Sequence, residues 1–355
     1  MNNGRGETTG VTPEEWRKRI ERHEQFWTGQ GRGALVIAAL PRPGAAIPPL
    51  SLDNWQDVAG QAATMQCQAE AFEYYGDALP SLFPNLGPDF FPAGFGGELR
   101  FAGTTSHIQP FMATLAGADK WRFDFNNRYF KVMDELCDLL LREAAGRYLV
   151  QVPDFHPGAD CLVGWRGPEQ LCLDLYDDPD AVAAALRHVN REFARVFRFF
   201  ADKLNGAGQP FTSWIGLISH RPYGIPSCDF SYLIGEEHFE TVIKPALIEE
   251  CRLCERNIFH VDGKGVLRHL DSILTLPNLQ VIQWVPGAGN GPARNWIEVY
   301  RRCVEAGKAV QIQATVEDFD ALFASLPPSR CMIMLSGVHS RPEMEAALAR
   351  IAAWK

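Results

Sequence analysis

Residues 257–289 read NIFHVDGKGVLRHLDSILTLPNLQVIQWVPGAG, and this stretch decides the fold. Ile258, Phe259 and Val261 make a short apolar run of the kind that forms a buried strand, ending in His260 and Asp262. Gly263 and Gly265 then turn the chain into a helix. A second apolar run at 279–284 ends in Gln283 and a Pro/Gly-rich loop at 286–292. Strands that finish in polar groups, each followed by a helix, are the pattern of an α/β barrel, where reactive side chains sit in the βα loops. Side chains alternate along a strand, so His260 and Asp262 face one side while Val261 faces the other.

The same alternation repeats outward. Helix-like segments at 127–145, 178–205, 237–256, 265–275, 294–306, 316–325 and 341–354 separate strand-like runs at 148–152, 211–217, 258–261, 279–284, 309–314 and 331–335. Such alternation implies parallel strands. The first third contributes a strand at 34–40, a helix at 55–75 and a less regular strand. The fold class predicted is therefore α/β, a (β/α)8 TIM barrel with an N-terminal helical extension. A doubly wound sheet is the main rival, and its first βα turns should carry a GxGxxG that this chain lacks. The GAGNG at 287–291 reads as a tight turn more than as an anion cradle.

Thr12-Pro13-Glu14-Glu15 supplies a cap, a proline for the first helical position and acid for the first turn, which starts a helix running to about Trp27. Residues 1–11 read as a disordered tail and 12–355 as one domain. The Pro/Gly/Phe-rich segment 80–97 reads equally as a lid or pocket wall and as a structural excursion.

A net charge of −9 argues against nucleic acid and against an anionic membrane surface, both of which need a basic footprint. No apolar run is long enough to span a bilayer, and the first residues carry no export or organelle signal, so a cytosolic protein is expected. Nine scattered cysteines form no disulfide framework, and most read as reduced core residues. Cys251 and Cys254 make a CxxC without a second pair, which favours helix packing over a zinc ribbon.

The order of DFSYLIGEEHFETVIKP (229–245), IFHVDG (258–263), VIQWVPG (281–287) and MLSGVHSRPEMEAAL (334–348) resembles the uroporphyrinogen decarboxylase superfamily. The likeness covers 125–355 and, more weakly, the first third. That superfamily includes zinc-dependent methyltransferases that use methylcobamide, and it is related to cobalamin-independent methionine synthase. The methyltransferases hold zinc through a His-x-Cys at the strand end matched by His260-Val261-Asp262, with a later Cys where this chain has Val338 beside His339. The resemblance thus implies His260, Asp262 and His339 as ligands of Zn2+ or another divalent ion, a harder set than the relatives' thiolates. Gln283 stands where the methionine-synthase relatives place a Glu ligand. The implied reaction is metal-assisted methyl transfer linked to a corrinoid. A small-molecule substrate, a corrinoid protein as partner and a homodimer fit this picture.

The decarboxylases of the superfamily imply a different set. Asp77, in YGDAL (75–79), matches their pocket Asp, and the loop bearing His339 matches their His-bearing loop. Asp229 stands at their Ser position, no Tyr occurs in 157–165, and no Arg-rich N-terminal segment is present. A porphyrinogen carries many carboxylates and needs several Arg or Lys partners. Decarboxylation of a tetrapyrrole or other small carboxylate therefore ranks second, and a non-catalytic binding barrel third.

Asp77, Asp229 and His339 are the catalytic candidates on this reading. Asp154, His156, Trp214, Gln283 and Trp284 are expected to contact substrate, the carboxylate and His pair with Asp160 as acid, base or hydroxyl ligand and the Trp rings by stacking. The bland alternative for His260 and Asp262 is a hydrogen bond to each other or to substrate. Asp229 is favoured over Cys228, and His269 with Asp271 is assigned a structural role.

Overall fold

The computed structural model describes residues 11–355. The expected tail at 1–10 lies outside the described residues, whereas Val11, placed with it, is buried against Trp16, Leu79, Leu149 and Ile218. The chain is mixed α/β, with 49% helix around a six-stranded, mostly parallel sheet. We number its strands in chain order: β1 Leu35–Pro41, β2 Phe72–Gly76, β3 Asn257–Asp262, β4 Leu279–Val285, β5 Ala309–Ala314 and β6 Cys331–Leu335. Their order across the sheet is β2-β1-β6-β5-β4-β3. All neighbours run parallel except β2, which returns antiparallel beside β1.

The apolar content of β3 to β6 explains this arrangement. Ile258, Phe259, Val281, Ile282, Val310, Ile312, Met332 and Ile333 are all fully buried, as expected of strands covered on both faces. Between them run the helical segments Lys264–His269 with Leu270–Leu274, Ile297–Glu305 and Phe319–Ser325, and Arg341–Ala352 follows β6. Because these strands are parallel, the loops after β3, β4 and β6, with His260, Asp262, Gln283 and His339, all emerge at one edge.

A chain segment outside the named strands extends this sheet toward the site. Gly224 pairs with Asn257 and Ser227 with His260, both parallel, so the chain at 224–227 runs alongside β3. Further along, Ser81–Leu82 pairs parallel with Leu149–Val150, and the Val152 N–H donates to the Thr212 carbonyl at 2.9 Å.

Three expectations change. The helix predicted over 55–75 ends at Glu70, and Phe72–Gly76 is strand β2. The strand predicted over 211–217 is a tight hairpin instead, Phe211–Thr212 against Ile218–Ser219, because Gly216 adopts φ +82 and reverses the chain. Residues 158–177, for which the sequence pattern gives no element, form the helices Gly158–Arg166 and Pro168–Asp177. The N-terminal helix Pro13–Trp27 carries the predicted cap, Thr12, which forms a capping box with Glu15. It is pinned to the body by Trp27, whose indole N–H donates to the Ile218 carbonyl at 3.0 Å.

Candidate metal centre

Parallel pairing brings three of the sought side chains together. Ser227 lies opposite His260, so two residues later Asp229 stands beside Asp262 at the carboxyl end of β3. Ligand atoms of Asp229, His260 and Asp262 all lie within 4.8 Å of one another. His260 Nε2 and Asp262 Oδ2 are 3.9 Å apart, too far for a hydrogen bond. The reading of these two as a simple hydrogen-bonded pair therefore fails.

The other nitrogen of His260 is engaged. Gln283 is the register partner of His260 on β4, and its Oε1 lies 2.5 Å from His260 Nδ1. A carbonyl oxygen accepts, so Nδ1 carries the proton and the Nε2 lone pair faces the carboxylates. A hydrogen bond of this kind to the far ring nitrogen fixes the tautomer and orientation of a metal-binding imidazole. Trp214 stands edge-on to the His260 ring, with centroids 5.3 Å apart, and its Nε1–H donates to Asp154 Oδ1 at 2.8 Å.

Asp229 has the properties of an unfilled ligand. Its backbone N–H and that of Phe230 donate to the two oxygens of Asp160, at 3.0 and 2.9 Å, which fixes the turn. Its own Oδ1 is buried without a hydrogen-bond partner. Burial, and then the charge of Asp160, push the Asp229 carboxyl up to about 6, while His260 and His156 work in the opposite direction. A buried carboxylate oxygen with no donor is costly, and a cation removes that cost. Two oxygens and one imidazole suit Zn2+ or another borderline-to-hard divalent ion, so the residues fit the implied metal.

A cavity of about 410 Å3 adjoins Asp229, and Asp89, His107, His156 and Asp160 also line it. His156 Nδ1 lies 2.9 Å from Asp89 Oδ1, and the other oxygen of Asp89 accepts the Ile108 N–H at 2.9 Å. Burial alone would make His156 harder to protonate. The bond to Asp89 and the charges of Asp160 and Asp154 outweigh it and raise the imidazole to about 9. Burial likewise pushes the Asp154 carboxyl up. A larger cavity of about 540 Å3, lined by Ile37, Gln313 and Met334, contains none of these groups.

The remaining candidates lie elsewhere. Asp77 is buried beside the amino-terminal half of β1, where its Oδ2 accepts the Val36 N–H at 2.9 Å and Arg22 reaches its Oδ1 at 3.4 Å. This is a structural bond away from the carboxyl-end cluster, because β2 runs antiparallel and delivers Asp77 to the other end of β1. His339 is exposed in the loop after β6, its N–H donating to Glu343 Oε2, and it is not among the three converging ligands. Three strand spacings of about 4.8 Å each separate β6 from β3 along the sheet. Asp229, and not His339, completes the cluster with His260 and Asp262. Trp284 faces away from Gln283 by strand alternation and packs in the core against Trp296, with centroids 5.1 Å apart. Cys228 is buried, and burial holds its thiol in the protonated form.

Asp89 and Glu250 escaped the reading of the sequence. Asp89 lies within the Pro/Gly/Phe-rich segment, where a carboxylate just before the four-residue helix Phe90–Ala93 was the only signal. Glu250 sits inside the helix Lys244–Cys251, only 5% exposed, with Oε2 unpartnered. All nine cysteines are free, as expected. Among the described residues no helix is long and apolar enough to cross a membrane.

No protein-family model matches this chain, and no curated protein sequence is significantly similar to it.

Proposed function

We propose that this chain is a cytosolic metal-dependent enzyme built on a (β/α)8 barrel of the uroporphyrinogen decarboxylase type, catalysing methyl transfer between a small molecule and a corrinoid. The convergence of Asp229, His260 and Asp262 within 4.8 Å at the carboxyl edge of parallel strands carries the reading. Barrel enzymes assemble their chemistry at this edge. The parallel run from β3 to β6 and on to β1, with helices between β3 and β6, supports the barrel.

Asp229, His260 and Asp262 would hold the ion, which supplies Lewis acidity toward a substrate heteroatom. Gln283 keeps His260 in the tautomer that offers Nε2. Asp160 fixes the turn that presents Asp229. Trp214 walls the imidazole and, through Asp154, joins the strand-end segments. A cavity of about 410 Å3 takes a small molecule and is at the low end of ligand pockets, so a macrocycle is better met at its mouth, carried by a partner protein.

Tetrapyrrole decarboxylation is the second reading, and the site disfavours it. No Lys or Arg is among the residues lining this cavity, and three Asp are. The test is to incubate zinc-loaded protein with methylcobalamin and a small thiol and follow cobalt demethylation by visible absorbance. Turnover that His260→Ala abolishes supports methyl transfer. Zinc-loaded protein that leaves methylcobalamin intact with a panel of thiols, yet releases carbon dioxide from uroporphyrinogen, overturns it.

A further inference from the structure

The cavity beside the metal centre has a second polar pole. His156 lines it from the loop after Leu149–Val150, its Nδ1 committed to Asp89 and its Nε2 without a hydrogen-bond partner among the described residues. Asp89 is itself held by the Ile108 N–H, from the hairpin Leu99–Ala102 with Thr105–Ile108 that also brings His107 to the cavity. The ring is thus fixed through one nitrogen, and His156 and Asp229 line the same space.

The charges around the space restrict what it takes. Asp89, Asp160 and Asp229 line it, Asp154 acts on His156 from behind, and no Lys or Arg does so among the described lining residues. Both oxygens of Asp160 are occupied by N–H groups of residues 229 and 230, and both of Asp89 by His156 and Ile108. These carboxylates have no free donor to offer an anion, and the charges of Asp89 and Asp160 together outweigh the single positive charge of a protonated His156.

We propose that His156 Nε2–H binds the polar end of the substrate, that Asp89 positions it, and that the substrate is a small uncharged molecule with a hydrogen-bond acceptor opposite its metal-binding atom. The proposal rests on the metal centre assigned above. The Asp carboxylates around His156 keep its ring protonated at neutral pH, which makes Nε2 a donor. A charge-assisted bond in a partly closed site outweighs a neutral one and gives selectivity through the unpaired donor left when the acceptor is missing.

Cobalt(II)-loaded protein provides the test, since thiolate binding to cobalt has its own absorption band. The probes are 3-mercaptopropionamide, 3-mercaptopropionate and ethanethiol, which share the metal-binding head and differ in the tail. The amide-tailed thiol is expected to bind about tenfold more tightly than the other two. His156→Leu should remove that preference, read as the ratio of amide-tailed thiol to ethanethiol affinity within the same cobalt-loaded variant, and Asp89→Asn, which keeps the Ile108 contact, should reduce it. The preference should also fade as pH rises through about 9. A preference that survives His156→Leu, or tightest binding by the carboxylate, overturns the assignment of His156 and leaves the metal centre standing. Absence of cobalt binding by the unaltered protein overturns the metal centre first, and this proposal with it.

Discussion

His260 and Gln283 stand opposite each other on adjacent parallel strands, and the imidazole Nδ1 meets the amide oxygen at 2.5 Å. The bond decides which nitrogen of His260 faces Asp229 and Asp262. Gln283→Leu is expected to weaken divalent metal affinity by roughly tenfold, through loss of ring orientation, with little change in fold. Zinc competition against a chromophoric chelator measures it. Unchanged affinity would mean that the amide does not orient the ligand.

Asp77 provides the contrast. Its carboxylate satisfies the Val36 N–H beside the amino-terminal half of β1, away from the cluster. Asp77→Ala should cost about 1–3 kcal/mol of stability by leaving a buried donor unpaired. Metal stoichiometry should stay the same. Denaturant titration with elemental analysis checks both, and metal loss without destabilisation would return Asp77 to the site.

His156 links charge to stability. Its folded-state pKa, about 9, is above the usual value of 6.5, so the proton stabilises the fold. That contribution is complete below pH 6.5 and is lost as pH rises toward 9. Melting temperature of metal-free protein should fall across this window, and His156→Leu should flatten the decline. An equal slope in the variant would show that other groups govern it.

Glu250 has the opposite chemistry with the same sign. Burial, and then the charge of Asp160, raise its carboxyl well above the usual 4.5, so the fold favours the neutral acid. Stability is expected to decline as pH rises above 4.5, and Glu250→Gln, which cannot ionise, should remove that decline and stabilise the protein at alkaline pH. Thermal melts of both proteins from pH 5 to pH 9 supply the comparison (on the order of four pH units, enough to integrate a buried carboxyl).

The parallel core was legible because its strands are short continuous apolar runs that end in polar residues, and the pairing of β3 with β4 follows those runs closely. His260, Asp262 and Gln283 were legible for the same reason. Asp229 was visible as a candidate, although its place beside His260 and Asp262 was not, since that depends on Ser227 pairing with His260. The misreadings have local causes. Trp284 was placed in the pocket with Gln283 although adjacent strand residues face opposite ways, and Gly216 hid a reversal inside an apolar run. Asp89 and His156 meet across a separation of 67 residues, a contact no local pattern encodes.

The most direct test is the metal content of the protein purified without added metal, beside Asp229→Asn, His260→Ala and Asp262→Asn. Close to one equivalent of a divalent ion is expected in the unaltered protein, with most of it lost in each variant while the melting transition stays cooperative. Asp262→Cys should retain an ion and shift preference toward softer metals. A protein that binds no divalent ion when challenged with zinc, or variants that hold it as tightly as the parent, would contradict the metal centre.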